Sequence, residues 1–238
     1  MTRRSLGQHY LVDPRVVEKM VSLARLRGSE LLLEIGTGRG ILTEKLAGIC
    51  PRFVGYEVDL ENYTATLSRL HGYRGCIRLA DAFEERPQFD VLVSSLPYSR
   101  SRDFIEWISQ AEYRRAVVLL QDDFVMKILS PPGSRDYRAI SAIAQVSSEV
   151  EVHARVGRSA FSPPPRVGSV LATFVPRKRL SNSEVLDIKR LFSLRRREVC
   201  AALMVLGFGS GDNGYSGRRV YSLSPDEVYK ICSRLGRE

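Results

Sequence analysis

Ser95-Leu96-Pro97-Tyr98 puts a hydroxyl, a carbonyl that precedes proline and an aromatic ring within four residues, at the end of the apolar run from Phe89 to Ser95. Oxygen acceptors can take the protons of an exocyclic amine and a ring can stack on a planar partner, so the set suits a flat, amine-bearing base. Proline biases the residue before it toward extended backbone, which aims the Leu96 carbonyl. In isolation an ordinary proline turn at a strand end is the better reading of the four residues.

Three upstream features change that balance. Glu34-Ile-Gly-Thr-Gly-Arg-Gly40 follows an apolar run and precedes a helical pattern, giving backbone room beside a helix start. Its G-x-G-x-G spacing lacks the third spaced glycine of the dinucleotide fingerprint, and no Lys-Ser/Thr pair of a phosphate-binding loop follows it. Glu57, at the end of the next strand, can accept hydrogen bonds from both hydroxyls of a ribose. Asp81, in Ala80-Asp-Ala82 after the strand beyond, can accept from an adenine amine, although a turn or cap aspartate has the same signature. Glycines, then Glu, then Asp at three successive strand ends suit S-adenosylmethionine. A nicotinamide dehydrogenase is the competing use of such a sheet, and the missing glycine counts against it.

The elements that must carry these residues are legible in the hydrophobic pattern. Asp13-Pro14 reads as a cap and first turn for a helix with Val16, Val17, Met20, Val21 and Ala24 on one face. Leu31–Ile35, Arg52–Glu57, Cys76–Leu79, Phe89–Ser95 and Ala116–Leu120 read as strands, separated by helices over Ile41–Ala47, Leu60–Leu70 and Phe104–Ile108. Continuous apolar strands alternating with helices predict a parallel sheet covered on both faces. Phe124–Leu129 and Ala139–Val146 read as helices, and Val150–Val156 with Val170–Val175 as a hairpin at one sheet edge. From Arg177 the composition changes: Ser181-x-x-Glu184 and Ser224-Pro-Asp-Glu227 are capping boxes ahead of apolar helical stripes, with a glycine-rich connector over Gly207–Gly217. The fold expected is α/β, a Rossmann-like sheet with helices on both faces over residues 1–176, plus a small all-helical domain over 177–238.

The chain has 238 residues, is 44% hydrophobic and 26% charged, and carries a formal net charge of +9, which places it among basic globular proteins. Arg177-Lys-Arg179, Lys189-Arg190 and Arg195-Arg196-Arg197 concentrate the excess in the later part, as a surface for nucleic-acid phosphates would. No apolar stretch approaches the ~20 residues of a membrane helix, and the N-terminus lacks a signal-peptide core, so a soluble, cytoplasmic protein is expected, with no membrane partner. Cys50, Cys76, Cys200 and Cys232 include no C-x-x-C pair, which disfavours zinc or disulfide frameworks and reads as buried thiols.

With these motifs in order, the chain resembles the ribosomal small-subunit RNA adenine N6,N6-dimethyltransferase family from about residue 5 to the end. Gly7-Gln-His-Tyr-Leu-Val-Asp13 resembles the family's entry motif, Glu34-Ile-Gly-Thr-Gly38 its methyl-donor loop and Ser95-Leu-Pro-Tyr98 its target-base motif. Phe161-Ser-Pro-Pro-Pro-Arg-Val-Gly-Ser169 resembles its later proline motif, and Phe192-x-x-Arg195-Arg-Arg197 its basic helix start. The resemblance implies that the Ser95 side chain and the Leu96 carbonyl take the two amine protons, with Pro97 orienting that carbonyl and Tyr98 stacking the extruded base. It implies S-adenosylmethionine as methyl donor with no metal. His9, Leu11, Gly36, Gly38, Glu57, Asp81, Ala82 and Ser95 would lie about the donor, with Gln8 ordering the entry segment. Phe161 and the prolines after it would shape the target-base pocket, and Arg166, Arg195, Arg196 and Arg197 would join Phe161 in binding RNA, the three later arginines at its phosphates.

The family carries asparagine at position 95, whereas serine keeps an acceptor on a shorter arm. The activity implied is dimethylation of two adjacent adenosines near the 3′ end of small-subunit ribosomal RNA, on the RNA or the immature subunit, by a monomer. Adenine methylation in large-subunit RNA, or an assembly factor that keeps the fold with impaired turnover, are the alternatives.

Overall fold

The computed structural model describes residues 9–70, 76–207 and 214–235. Gln8 and the middle of the Gly207–Gly217 connector lie outside them. In chain order the first elements are β1 (Tyr10–Leu11), α1 (Pro14–Ala24), β2 (Leu32–Ile35), α2 (Ile41–Ile49), β3 (Phe53–Glu57), α3 (Leu60–Arg69), β4 (Ile77–Leu79), α4 (Ala82–Glu85) and β5 (Val91–Ser95). There follow α5 (Ser101–Ile108), β6 (Arg115–Gln121), α6 (Asp122–Ile128), α7 (Ala139–Ser147), β7 (Ser148–Val156), β8 (Phe161–Ser162), β9 (Ser169–Pro176), α8 (Asn182–Ser193), α9 (Val199–Val205) and α10 (Pro225–Leu235).

Seven strands form one sheet in the order β4-β3-β2-β5-β6-β9-β7. β2 pairs in parallel with β3 on one side and β5 on the other, so the direction of winding reverses between β2 and β5. Ligands of open α/β sheets bind at the carboxyl ends of the strands at such a reversal. The apolar runs behave as expected of strands covered on both faces: Val91 to Ser94 and Ala116 to Leu120 are buried throughout. β7 is the edge strand and β9 its neighbour, with β9 running antiparallel to β6. A second sheet, not anticipated, pairs β1 with β8, Leu11 opposite Phe161.

The chain divides into two compact units. The first comprises Met1–Phe104, Ala111–Asp122 and Val150–Pro176. Its core joins Val17, Met20 and Ala24 of α1 to Leu32, Val93, Val117 and Leu119 of the sheet. The Asp13 carboxylate accepts from the Arg15 amide at 2.9 Å and caps α1, a contact that typically stabilises a helix by ~1 kcal/mol. In β3, a Cβ on Gly55 would lie 2.7 Å from Thr37 Cγ2 and 2.8 Å from Ile77 Cδ1, so only glycine lets the neighbouring strand and loop approach this closely.

The second unit comprises Ile105–Gln110, Asp123–Glu149 and Arg177–Glu238. It is helical: α7, α8 and α10 pack together, and the Tyr137 and Phe192 rings meet edge to face at 5.4 Å. Both capping boxes form, with the Ser181 and Ser224 amides donating to Glu184 and Glu227 at 2.7 and 2.8 Å. The fork of Arg218 grips Glu227 and holds its carboxyl down at about 2. Cys50 and Cys232 are buried as expected; Cys76 and Cys200 are only half-buried, because Cys76 precedes β4 and Cys200 lies in the first turn of α9.

Candidate active site

At the carboxyl ends of β2, β3, β4 and β5 lies a cavity of about 820 Å³, including its open mouth, with all of its lining drawn from the first unit. Each wall begins where a strand stops.

After β2 the chain turns through Gly36, Gly38 and Gly40 with φ of 76°, 56° and 81°. The left-handed backbone favours glycine at all three positions, and a Cβ on Gly38 would rest in ordinary contact on Tyr10 Cδ1 at 3.4 Å. The loop is tied down by the Gly36 amide donating to the Tyr56 carbonyl at 2.8 Å and by the Thr66 hydroxyl donating to the Gly38 carbonyl at 2.9 Å.

Glu57, 5% exposed at the end of β3, accepts from the Gly38 amide at 2.8 Å with one oxygen, and from the Val58 and Asp59 amides at 2.9 and 3.0 Å with the other. Burial raises its carboxyl above the ordinary range, and these amides oppose the rise. A carboxylate has about four acceptor positions, so one remains for a ligand at the cavity wall.

Glu34 of β2 lies deeper. Burial, reinforced by the Glu57 charge, pushes its carboxyl up to about 8. Glu34 Oε2 and Thr43 Oγ1 are both buried without a hydrogen-bond partner.

Asp81 plays two parts. One oxygen accepts from the Phe83 amide at 2.8 Å and caps α4; the other accepts from Arg100 Nη2 at 2.9 Å. Buried Ala82 stands next to it on the wall. From the opposite side come Ser95, Leu96 and Pro97 at the end of β5. Tyr98 stands beside them, its hydroxyl 2.6 Å from Ser169 Oγ and its ring 5.6 Å from that of His9. Burial raises the Tyr98 hydroxyl, which keeps it protonated. His9 lines the cavity and bonds through Nδ1 to the Pro163 carbonyl at 2.8 Å.

Ser95, Leu96, Pro97, His9, Gly36, Gly38, Glu57, Asp81 and Ala82 are thus brought together, with Tyr98 beside them. Leu11 and Phe161 are not among them. Both are buried in the core, 6% and 4% exposed, as partners across the β1–β8 pair. Successive strand residues face opposite ways, so with Leu11 in the core it is Tyr10 that reaches the wall. The Phe161 ring, turned inward, holds the entry segment in place and presents no face to a base. Arg166 is exposed on the loop after Pro165. Arg195, Arg196 and Arg197 belong to the second unit and occupy the turn between α8 and α9, with Arg196 and Arg197 exposed. Asn62, Phe83 and Arg100 line the cavity without having been singled out from sequence.

The donor set fits the adenosyl group of S-adenosylmethionine: a glycine cradle that a Cβ would fill, acceptors on two strand ends, and apolar surface from Val58 and Phe83 between them. Among the described residues no helix is long and apolar enough to cross a membrane.

Residues 1–209 match the family model described as ribosomal RNA adenine dimethylase. A probable ribosomal RNA small subunit methyltransferase A of Pyrococcus abyssi is 32% identical over 95% of the chain and 89% of its own length. The ribosomal RNA small subunit methyltransferase A of Thermotoga neapolitana is 34% identical over 71% of the chain and 66% of its own. Among solved structures, a dimethyladenosine transferase from Plasmodium falciparum superposes with a TM-score of 0.80 at 22% identity, covering 96% of this chain and 98% of that one. The 23S rRNA methyltransferase ErmE superposes at 0.63, also at 22% identity, covering 96% and 100%. These two share the fold.

Proposed function

The chain belongs to the ribosomal RNA adenine dimethylase family, and from that premise we propose how its cavity carries out S-adenosylmethionine-dependent N6 dimethylation of adenine in small-subunit ribosomal RNA. The observation that supports this reading best is that the amine-gripping residues after β5 and the adenosine-gripping acids after β3 and β4 line one cavity at the sheet's reversal point.

When bound, the cofactor supplies a methyl group on a positively charged sulfur. Gly36 and Gly38 let the backbone approach it, Glu57 accepts from a ribose hydroxyl at its one remaining acceptor position, and Asp81 with Ala82 reads the adenine edge. On the acceptor side the difficulty is electronic, because the amine lone pair of adenine is delocalised into the ring. Ser95 Oγ and the Leu96 carbonyl take the two amine protons and turn that lone pair toward the methyl group, while Tyr98 stacks on the extruded base. Each N–C bond made is matched by one S–CH3 bond broken, leaving the neutral thioether S-adenosylhomocysteine, and one amine proton is released to water. Serine reaches less far than the family's asparagine, so the base must sit closer or use a bridging water.

The remaining parts of the reading are the enzyme's reach. The catalytic domain lies within residues 1–176, less the segments Ile105–Gln110 and Asp123–Glu149, which join residues 177–238 in the unit assigned to RNA contact. Arg166 and Arg195–Arg197 neutralise phosphates, and Phe161 supports the site through β1. The substrate is two adjacent adenosines near the 3′ end of the RNA in an immature subunit, modified by a cytoplasmic monomer without a metal.

The test is incubation of small subunits from a strain lacking this activity with labelled S-adenosylmethionine, followed by mass-spectrometric mapping. Label on two adjacent small-subunit adenosines is expected, and label confined to large-subunit RNA, or none, overturns the reading. Ser95→Ala should slow transfer about 100- to 1,000-fold, the effect of one lost hydrogen bond in a preorganised site. Transfer at the parental rate would remove Ser95 from the mechanism.

A further inference from the structure

Arg100 carries no signal in the sequence, yet it is the most constrained cation at the cavity. Its Nη2 donates to Asp81 Oδ2 at 2.9 Å. Its Nε lies 2.9 Å from Asp103 Oδ2, close enough for an ion pair although off the line of a hydrogen bond. Its guanidinium rests 4.8 Å from the centroid of the Phe83 ring. Its own amide donates to the Pro97 carbonyl at 2.9 Å, closing the single turn of 3-10 helix Tyr98–Arg100 that follows the target-base residues. The side chain is 35% exposed and its Asp81 partner 19%, so the pair is only partly screened by solvent.

We infer that Arg100 is a positioning residue for cofactor recognition: it fixes the Asp81 carboxylate so that this group accepts from the adenine amine of the methyl donor. The inference rests on the reading of Asp81 given above. With one oxygen held by the Phe83 amide and the other by Arg100, Asp81 cannot rotate without giving up a charge-assisted bond. Each oxygen keeps a second acceptor position. A carboxylate locked in this way favours a ring that presents N–H at position 6 and repels one that presents a carbonyl oxygen there. Because the backbone amide of the same arginine closes the turn after Pro97, the acid that reads the cofactor and the loop that grips the target base are fastened to one residue, the acid by its side chain and the loop by its main chain.

The discriminating measurement is calorimetric affinity for two cofactor products, S-adenosylhomocysteine and S-inosylhomocysteine, which carry an amine and a carbonyl oxygen at that position. Arg100→Gln should lower the preference for the adenosyl compound by roughly tenfold, about the worth of one well-placed hydrogen bond, and Arg100→Lys should restore part of it. Asp81→Asn keeps the cap acceptor but can offer N–H in place of the second oxygen, so it should shift preference toward the inosyl compound. Thermal melts confirm that each variant is folded, and Arg100→Lys, which keeps the charge, serves as the test if Arg100→Gln does not fold. If Asp81→Asn shifts the preference and neither arginine variant does, the role of Arg100 is overturned while that of Asp81 stands. If Asp81→Asn changes nothing, the reading of Asp81 falls and the inference with it.

Discussion

Replacing Glu34 by Gln should change how stability depends on pH, by an amount set chiefly by burial and added to by the Glu57 charge. Glu34 is 1% exposed and its carboxyl is raised from 4.5 to about 8. Between those values the folded chain holds a proton there that the unfolded chain has released. The native state therefore binds more protons, and stability falls as pH rises through the window. Each unit of displacement is worth about 1.36 kcal/mol, so the full loss by pH 8 is on the order of 5 kcal/mol. Below pH 4.5 both states are protonated and nothing is lost. Glutamine keeps the shape without the titration. Urea unfolding followed by circular dichroism from pH 5 to 9 should show the Gln variant gaining on the parent at about 1 kcal/mol per pH unit and overtaking it at the alkaline end. Taking the difference between the two proteins cancels the titration of groups that do not feel Glu34; Glu57, whose charge acts on Glu34, contributes its coupled part to the difference. A difference that does not vary with pH would mean that Glu34 stays ionised in the fold, and the argument from its missing hydrogen-bond partner would fail.

Gly55→Ala should lower stability by about 1–3 kcal/mol through overpacking against Thr37 and Ile77, seen as a reduced urea midpoint at constant slope; an unchanged midpoint would mean that the strands have room to spare. Replacing Arg195, Arg196 and Arg197 together by Gln should reduce the salt dependence of RNA binding, the slope of log K against log salt falling by about 2 if each arginine meets one phosphate of a single strand. An unaltered slope would take this turn out of the RNA surface.

The sheet was legible because burial on both faces writes itself as uninterrupted apolar runs, and the strand ends at Glu57, Asp81 and Ser95 followed from those runs. The caps of α1, α8 and α10 were legible because Ser-x-x-Glu and Asp-Pro act over three or four residues. What depended on distant partners was not. β1 and β8 are two residues each and exist only because Tyr10–Leu11 meets Phe161–Ser162, some 150 positions away, and without that pairing the sequence does not reveal that Leu11 faces the core and Tyr10 the cavity. Gly55 looked like any strand residue, since its closeness to Thr37 is a property of the folded loop. Arg100 looked like surface charge, since nothing local distinguishes an arginine that caps a distant aspartate from one that meets water. α4 is four residues long, too short for helical periodicity to show.

The strand order sets a schedule for folding. β7 comes earlier in the chain than β9 but lies outside it, so β7 has no seat on the sheet until β9 has paired with β6. Until the ribosome has released Ser169–Pro176, the nascent chain carries a growing parallel sheet whose last strand, Ala116 to Leu120, is wholly apolar and open along one side. Open apolar edges invite pairing with other chains. A polypeptide cut short between Gln121 and Ser169 would hold most of the residues of the methyl-transfer cavity and still be an aggregation hazard, and one reaching Pro176 would have the strand that closes the edge. Premature termination in that interval should therefore yield insoluble product.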